Sequence, residues 1–366
     1  MTGSTLRPTT AAGRPPLAGR SVRTVAGISL VAVLALTMSG CGGSKKKPAA
    51  PATTASSSSS ATPTPTPPSS PPAKPAARVN PLTGVGPAPS GPILAVKVDD
   101  TANGRPSRGI DEADVLYIEQ AEGGLTRMVA VFGSHRPVVE AVRSVRASDP
   151  ELLSQYGSIV LIASGGGGDS LATLDRSIVK GVINDRGGPG FSRDGNRPAP
   201  YNLQSNLAQV ASAVHTAGSK PIGFTFAKAD PQLTGAPAAN AINTVVGSTA
   251  VTFKWEPTIG KYVRMIGGQH LAAADGALVA APNVLVQLCK VSVNPNDVDV
   301  EGNPSQYTHS VGSGRAVLFR NGKRIVGIWR RPNSGSGTTW TDLHGKPLLM
   351  APGNTIVVLA TVGAPV

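Results

Sequence analysis

Three short polar segments of this 366-residue chain have the residue types for chemistry. The first holds Asp99-Asp100 and runs into Gly104-Arg105-Pro106. The second is Glu119-Gln120-Ala121-Glu122-Gly123-Gly124-Leu125-Thr126-Arg127. The third pairs Arg143-Ser144-Val145-Arg146 with Ser164-Gly165-Gly166-Gly167-Gly168-Asp169. Guanidinium groups grip phosphate or carboxylate through paired charge-assisted hydrogen bonds. A Gly-rich turn ahead of a helix lets backbone N–H groups approach an anion closely. Arg105, Arg127, Arg143, Ser144, Arg146, Gly165 and Gly166 are therefore candidate residues for an anionic ligand. The Gly run lacks the Lys-Ser/Thr of a phosphate-binding P-loop and does not match the dinucleotide fingerprint, and a plain flexible turn is the competing reading.

The carboxylates Asp99, Asp100, Asp114, Glu119 and Glu122 allow two readings. Gathered at strand ends, they would act as a general acid/base cluster or hold a divalent cation. Paired with Arg105, Arg127, Arg143 and Arg146, they would form an internal salt-bridge network. Ser144 has neither an elbow motif nor an adjacent base, so it is not read as a nucleophile. His135, His215, His270, His309 and His344 are scattered without ligand spacing. No metal site is expected, and no motif names a cofactor.

The elements that must position these residues show two styles. In the first half, apolar runs at 93–98, 115–118, 127–132 and 159–163 alternate with helical patterns. One helix is expected at Asp149-Pro150, with Pro at the first helical position. A second is expected behind Asn202, where Leu203, Leu207, Val210 and Val214 fall at helical spacing. The second half has strand-like runs at 244–254, 262–266, 284–293, 315–320, 323–329 and 355–361, separated by Gly, Pro and Asn. Asn321-Gly322 between two apolar runs predicts a tight hairpin. Apolar residues on both faces of that hairpin place it inside a sheet. Trp255, Trp329 and Trp340 read as core or sheet-face residues, and Cys289, in a strand-like run, as a buried thiol.

The N-terminal residues specify an address. Arg7, Arg14, Arg20 and Arg23 precede a mostly apolar, uncharged run of 13 residues at 25–37, then Met38-Ser39-Gly40-Cys41. A membrane span takes about 20 residues, so the run reads as a secretory signal. It resembles the bacterial lipoprotein lipobox, with Met38 where Leu is usual, and predicts lipidation at Cys41 and attachment to the membrane through that lipid. A Lys-, Ser-, Thr- and Pro-rich tract follows, too poor in apolar residues to offset chain entropy. Its Pro-rich part should extend by about 3 Å per residue. The net charge is +13, but nine of the 34 basic residues precede Asn80, where no acidic residue lies, and the rest of the chain is only +4. That distribution argues against a nucleic-acid partner.

A family resemblance rests on particular strings. Arg105-Pro106-Ser107, Ala113-Asp114-Val115, Glu122-Gly123-Gly124 with Thr126-Arg127, and Val142-Arg143-Ser144-Val145-Arg146 resemble the YerB-like lipoproteins, whose domain is of unknown function. So do Arg193-Asp194, Arg197-Pro198-Ala199-Pro200-Tyr201-Asn202 and Gly312-Ser313-Gly314-Arg315 with Phe319-Arg320-Asn321-Gly322-Lys323. The resemblance covers most of residues 80–366 and adds Asn202 to the candidate ligand-binding residues. It implies an envelope protein with an α/β domain followed by a β-rich one, and no known reaction. Ala163 and Tyr201 stand where the family pattern commonly has His, which weakens any catalytic or metal role.

The expected fold class is α+β. A signal peptide (1–40) and a disordered tether (41–79) should precede an α/β domain (80–226) and a β-rich domain (243–366). The expected function is a lipid-anchored envelope protein on the extracytoplasmic face, binding a cell-wall glycan or its phosphorylated precursor. The alternatives are an enzyme acting on that material through the acidic cluster, and a scaffold for a protein partner.

Overall fold

The structure, a computed structural model, describes residues 78–216, 220–299 and 302–366. The expected signal, Cys41 and nearly all of the expected tether lie outside the described residues.

A ten-stranded sheet forms the centre. Its strands in chain order are β1 (Ile93–Asp99), β2 (Val115–Gln120), β3 (Thr126–Phe132), β4 (Ile159–Ala163), β5 (Lys180–Ile183), β6 (Asn283–Cys289), β7 (Gly312–Arg320), β8 (Lys323–Arg331), β9 (Thr339–Asp342) and β10 (Thr355–Thr361). Across the sheet they run β9-β8-β7-β6-β10-β2-β3-β1-β4-β5. Every residue of β1, β3 and β6 is buried. Strands covered on both faces carry no alternating pattern and read as continuous apolar runs, as these do.

Each face has its own core. On one face Leu94, Val96, Val98, Val284 and Ile356 pack with Ile242, Phe253 and Tyr262 of a smaller sheet. That sheet is built from Ala241–Val246, Thr249–Glu256, Lys261–Ile266, Gln269–His270 and Ala280–Ala281. On the other face Ile93, Ala95, Tyr117 and Leu161 meet helix α1 (Asp149–Leu153) and the turn after it, through Leu152, Leu153 and Tyr156. Leu174 of helix α2 (Gly168–Asp175) joins the same core. Cys289 is fully buried there, and burial pushes its thiol up to about 12.

Several expectations need correction. The described residues are mostly β, with three short α-helices among them (α1, α2 and α3, Leu207–Ala213). The main sheet of the anticipated α/β half is not its own, and only a small three-stranded sheet of Val138–Glu140, Leu203–Asn206 and Phe191–Arg193 lies wholly within that half. The last strand, β10, is parallel to β2 on one side, from Val115↔Thr355 to Ile118↔Val358, and to β6 on the other, from Asn283↔Thr355 to Cys289↔Thr361. Strands of both halves therefore share one sheet. Periodicity identifies a strand but not its partner, and parallel neighbours are joined by long connections.

Local boundaries moved for local reasons. Residues Leu203–Asn206 pair as a strand with Val138–Glu140. Helix α3 starts only after Asn206, whose side chain accepts from the Ala208 and Gln209 N–H groups at 3.1 Å. Asp149 begins α1, yet its carboxylate is drawn to Lys97 and to the Arg146 N–H. The run 244–254 breaks into a hairpin at Gly247, where φ is 63°. Asn321 (φ 52°) and Gly322 (φ 67°) form the expected tight turn, and the β7–β8 hairpin has strand neighbours on both sides.

Candidate functional site

The parallel strands β1 and β4 end side by side, and the chain between them threads the gap. The Arg143 N–H donates to the Lys97 carbonyl, the Ser164 N–H to the Arg143 carbonyl and the Val145 N–H to the Gly165 carbonyl, each at 2.9 Å. Segment 143–146 is thus pinned between the end of β1 and the Gly-rich loop after β4. Glu122-Gly123-Gly124 closes the third side. Positive φ at both glycines (61° and 74°) folds this turn so that Arg127, next along, begins β3 opposite Asp99.

The result is a cleft of about 440 Å³ at the carboxyl ends of β1 and β4. Its walls include Asp99, Glu122, Arg127, Arg143, Ser144, Arg146 and Gly166 from the three polar segments. Arg143 Nε lies 3.0 Å from Asp99 Oδ2, and Arg127 Nη1 lies 3.8 Å from the same oxygen. The other Asp99 oxygen accepts from the N–H and hydroxyl of Thr101, both at 2.6 Å. Arg146 grips Glu122 with both ends of its fork, one bond measuring 2.6 Å. Arg143 also lies over the ring of Tyr201, 5.3 Å from its centroid, a cation–π arrangement. Ser144 Oγ lies 3.2 Å from Ser164 Oγ.

The electrostatics differ from one arginine to the next. Burial pulls Arg146 down, but the hydrogen bonds and charge of Glu122 outweigh it and hold Arg146 above its ordinary value. Burial favours neutral Glu122, but Arg146 overcomes it and keeps the carboxyl below the usual range. Arg127 goes the other way. Burial lowers its pKa, and repulsion from Arg143 and Arg146 adds to that, against the opposing pull of Asp99. Its one hydrogen bond runs 3.3 Å from Nη1 to the Thr126 carbonyl, and its buried Nε has no partner.

The remaining candidates lie elsewhere. Arg105 donates to the Thr101 and Asp100 carbonyls and braces the loop after β1. Asn202 holds its own loop, accepting from Arg193 at 2.8 Å and donating to the Asp194 carbonyl at 3.2 Å. Gly165 is behind the wall, against Asp185. The five acidic candidates do not gather into one cluster. Asp100 forms a buried two-pronged pair with Arg264 at 2.6 and 2.9 Å. Glu119 joins Asp149 around the fully buried Lys97. Asp114 accepts from the Gly133 and Ser134 N–H groups in a different region. Alternating side-chain direction and sheet register send these neighbours in sequence to different sites. Among the described residues no three His, Cys, Asp or Glu side chains are placed to hold a metal ion.

Sequence reasoning missed Asp185, Asp297 and Asp299 in the cleft wall, and met Tyr201 only as a departure from a pattern. Asp185 follows β5, which is parallel to β4, so its place at a strand end was a usable signal. Asp297 comes from the hairpin of Val291–Val298 and Pro304–Thr308, and nothing in its neighbourhood marked it. A larger cavity of about 760 Å³ lies against residues 83–91 and 133–136. The Asp114 side chain beside it is already engaged by backbone N–H groups. The arginine that lines it, Arg136, donates to the Phe132, His135 and Pro92 carbonyls, so the underused guanidinium donors lie in the smaller cleft.

Comparison with known proteins identifies the family but no activity. Residues 82–220 match the family described as "Protein of unknown function (DUF3048) N-terminal domain", and residues 242–357 match the corresponding C-terminal domain. The Bacillus subtilis (strain 168) protein named "Putative lipoprotein YerB" is 26% identical over 272 residues, 72% of this chain and 79% of that protein. The crystal structure of the YerB protein from Bacillus subtilis has the same fold, with a TM-score of 0.64 at 20% identity over 76% of this chain and 95% of that one. With both parts matched in order, the chain belongs to the DUF3048 family of proteins of unknown function.

Proposed function

We propose that this protein is a lipid-anchored envelope protein whose cleft holds an anionic ligand, a cell-wall glycan or its phosphorylated precursor. The observation that carries this reading is the state of two arginines. Arg127 is 7% exposed and uses one of its donors, and Arg143 commits Nε to Asp99 while both its Nη groups donate to no described residue. A guanidinium has five N–H donors in a fixed fork, and Arg127, withdrawn from water with so few partners, favours an anion with oxygens to accept them, with the half-buried Arg143 beside it offering further donors. The anchor is supported by the order of residues 7–41 and by the name of the Bacillus relative. Among the described residues no helix is long and apolar enough to cross a membrane.

The test uses the full-length protein in detergent micelles, titrated with N-acetylmuramic acid and with N-acetylglucosamine 1-phosphate. At least one should saturate the protein, and Arg143→Met, which keeps an apolar stem, should weaken it by about tenfold or more, or 1.4 kcal/mol. Failure of both ligands to bind, or equal binding by the variant, overturns the anion reading. For the anchor, Cys41→Ala should abolish labelling by fatty acid in cells, and undiminished labelling would remove the lipid assignment.

A further inference from the structure

The Gly-rich loop does not cradle an open anion position, because carboxylates of the chain itself fill the space beside it. A Cβ on Gly165 would collide with Asp185 Oδ2, and one on Gly167 with Asp297 Oδ1. The two carboxylates therefore sit against alternate residues of one short loop. Neither has a close ion-pair partner among the described residues, although the charge of Asp297 acts at longer range on Arg146. Asp185 Oδ1 accepts from Asn184 Nδ2 at 3.1 Å, and Asp297 Oδ2 accepts from the Ser170 hydroxyl, so these donors are neutral. Asp297 is 3% exposed, and Arg146, the cation whose charge it shares, already has its fork taken up by Glu122. A buried carboxylate with no close cation of its own is costly. Both line the same cleft as the underused, nine-tenths buried Arg127.

A simple anion would satisfy Arg127 and Arg143 while adding negative charge beside Asp185 and Asp297. A ligand carrying both signs satisfies both sides. Val145 is bridged to Gly166 as a parallel neighbour. The segment bearing Arg143 and the loop lined by the carboxylates thus run side by side at this bridge, which places Arg143 and the carboxylates on the order of 5–10 Å apart. We infer that the cleft selects a zwitterionic ligand, its carboxylate or phosphate on Arg127 and Arg143 and its ammonium group beside Asp185 and Asp297. This rests on the anion reading above and moves the ligand from one with an anionic group alone to one that also bears a free amine, such as an amino-acid side chain or peptide end.

Three small probes separate the charges: Nα-acetyl-lysine has both, Nα,Nε-diacetyl-lysine only the carboxylate, and Nα-acetyl-lysine amide only the ammonium. With the full-length protein, Nα-acetyl-lysine should bind about tenfold more tightly than either singly charged form. Asp185→Asn and Asp297→Asn should remove that preference and leave diacetyl-lysine binding unchanged or stronger. Should Asp297→Asn fail to fold, the exposed Asp185→Asn makes the same test. Diacetyl-lysine binding as tightly as Nα-acetyl-lysine overturns the inference, as does a preference that survives the Asp variants. If diacetyl-lysine binding is also indifferent to Arg143→Met, the anion reading falls with it. Absence of binding by all three probes overturns the inference too.

Discussion

Lys97 and Asp99 project from the same face of β1, two residues apart, yet their surroundings differ. Lys97 is fully buried, with Asp149 Oδ1 at 2.7 Å and Glu119 closer still. Burial pulls its ammonium down, but Asp149 and Glu119 outweigh that and hold its pKa above the ordinary value. Burial pushes Glu119 up to about 8 against the pull of Lys97, with Asp149 reinforcing the rise. The group is closed within itself, one ammonium held between two buried acids. Asp99 belongs to the cleft, where Arg143 is 22% exposed and donors of both Arg127 and Arg143 face no described acceptor. Similar residue types make a sealed structural network in one place and an open site in the other. What separates them is whether the chain itself supplies the last partner.

The largest expected effect breaks the sealed cluster. Lys97→Met should cost about 3–5 kcal/mol in urea unfolding, because it leaves Asp149 and Glu119 buried without their cation. Adding Glu119→Gln and Asp149→Asn should recover much of that. Arg143→Met should cost only about 1 kcal/mol, since Asp99 keeps its bonds from Thr101. If the two single variants are equally destabilised, the cleft is a structural network and the contrast fails.

The pH dependence sharpens the same contrast. Glu119 retains its proton in the folded chain up to about 8, against an ordinary value of 4.5. Between those values the folded state binds a proton that the unfolded state has released, so stability falls as pH rises. Melting curves across this window should slope downward for the native chain and be flatter for Glu119→Gln. A slope unchanged in the variant would assign it to other groups.

A further effect concerns the loop. Gly167→Ala should cost about 1–3 kcal/mol by crowding the Asp297 carboxylate. Combined with Asp297→Ala, the cost should be less than the sum of the two, because neighbouring changes couple. Strict additivity in a double-mutant cycle would mean that Gly167 and Asp297 do not meet.

Much of the scaffold was legible in sequence. The run 355–361 is β10 residue for residue, and 93–98, 127–132 and 159–163 fall within β1, β3 and β4. The Asn321-Gly322 turn was legible because only residues tolerant of positive φ serve there. Helix α3 was misplaced by four residues because Leu203 satisfies a helical period and an inward strand position equally well. The site was only partly legible. Arg127, Arg143 and Arg146 shared a wall because their segments flank strand ends, whereas Asp100, Asp114 and Glu119 dispersed on register alone.

The sequence by itself determined the strands, the turns and the charged segments, because these depend on neighbours within a few residues. It could not determine that β10 would enter the sheet between β2 and β6, or that Asp297 would meet a loop 130 positions earlier at Gly167. Those meetings depend on which surfaces close on each other once both faces of the sheet are buried. They decide which charges are cancelled within the chain and which are not.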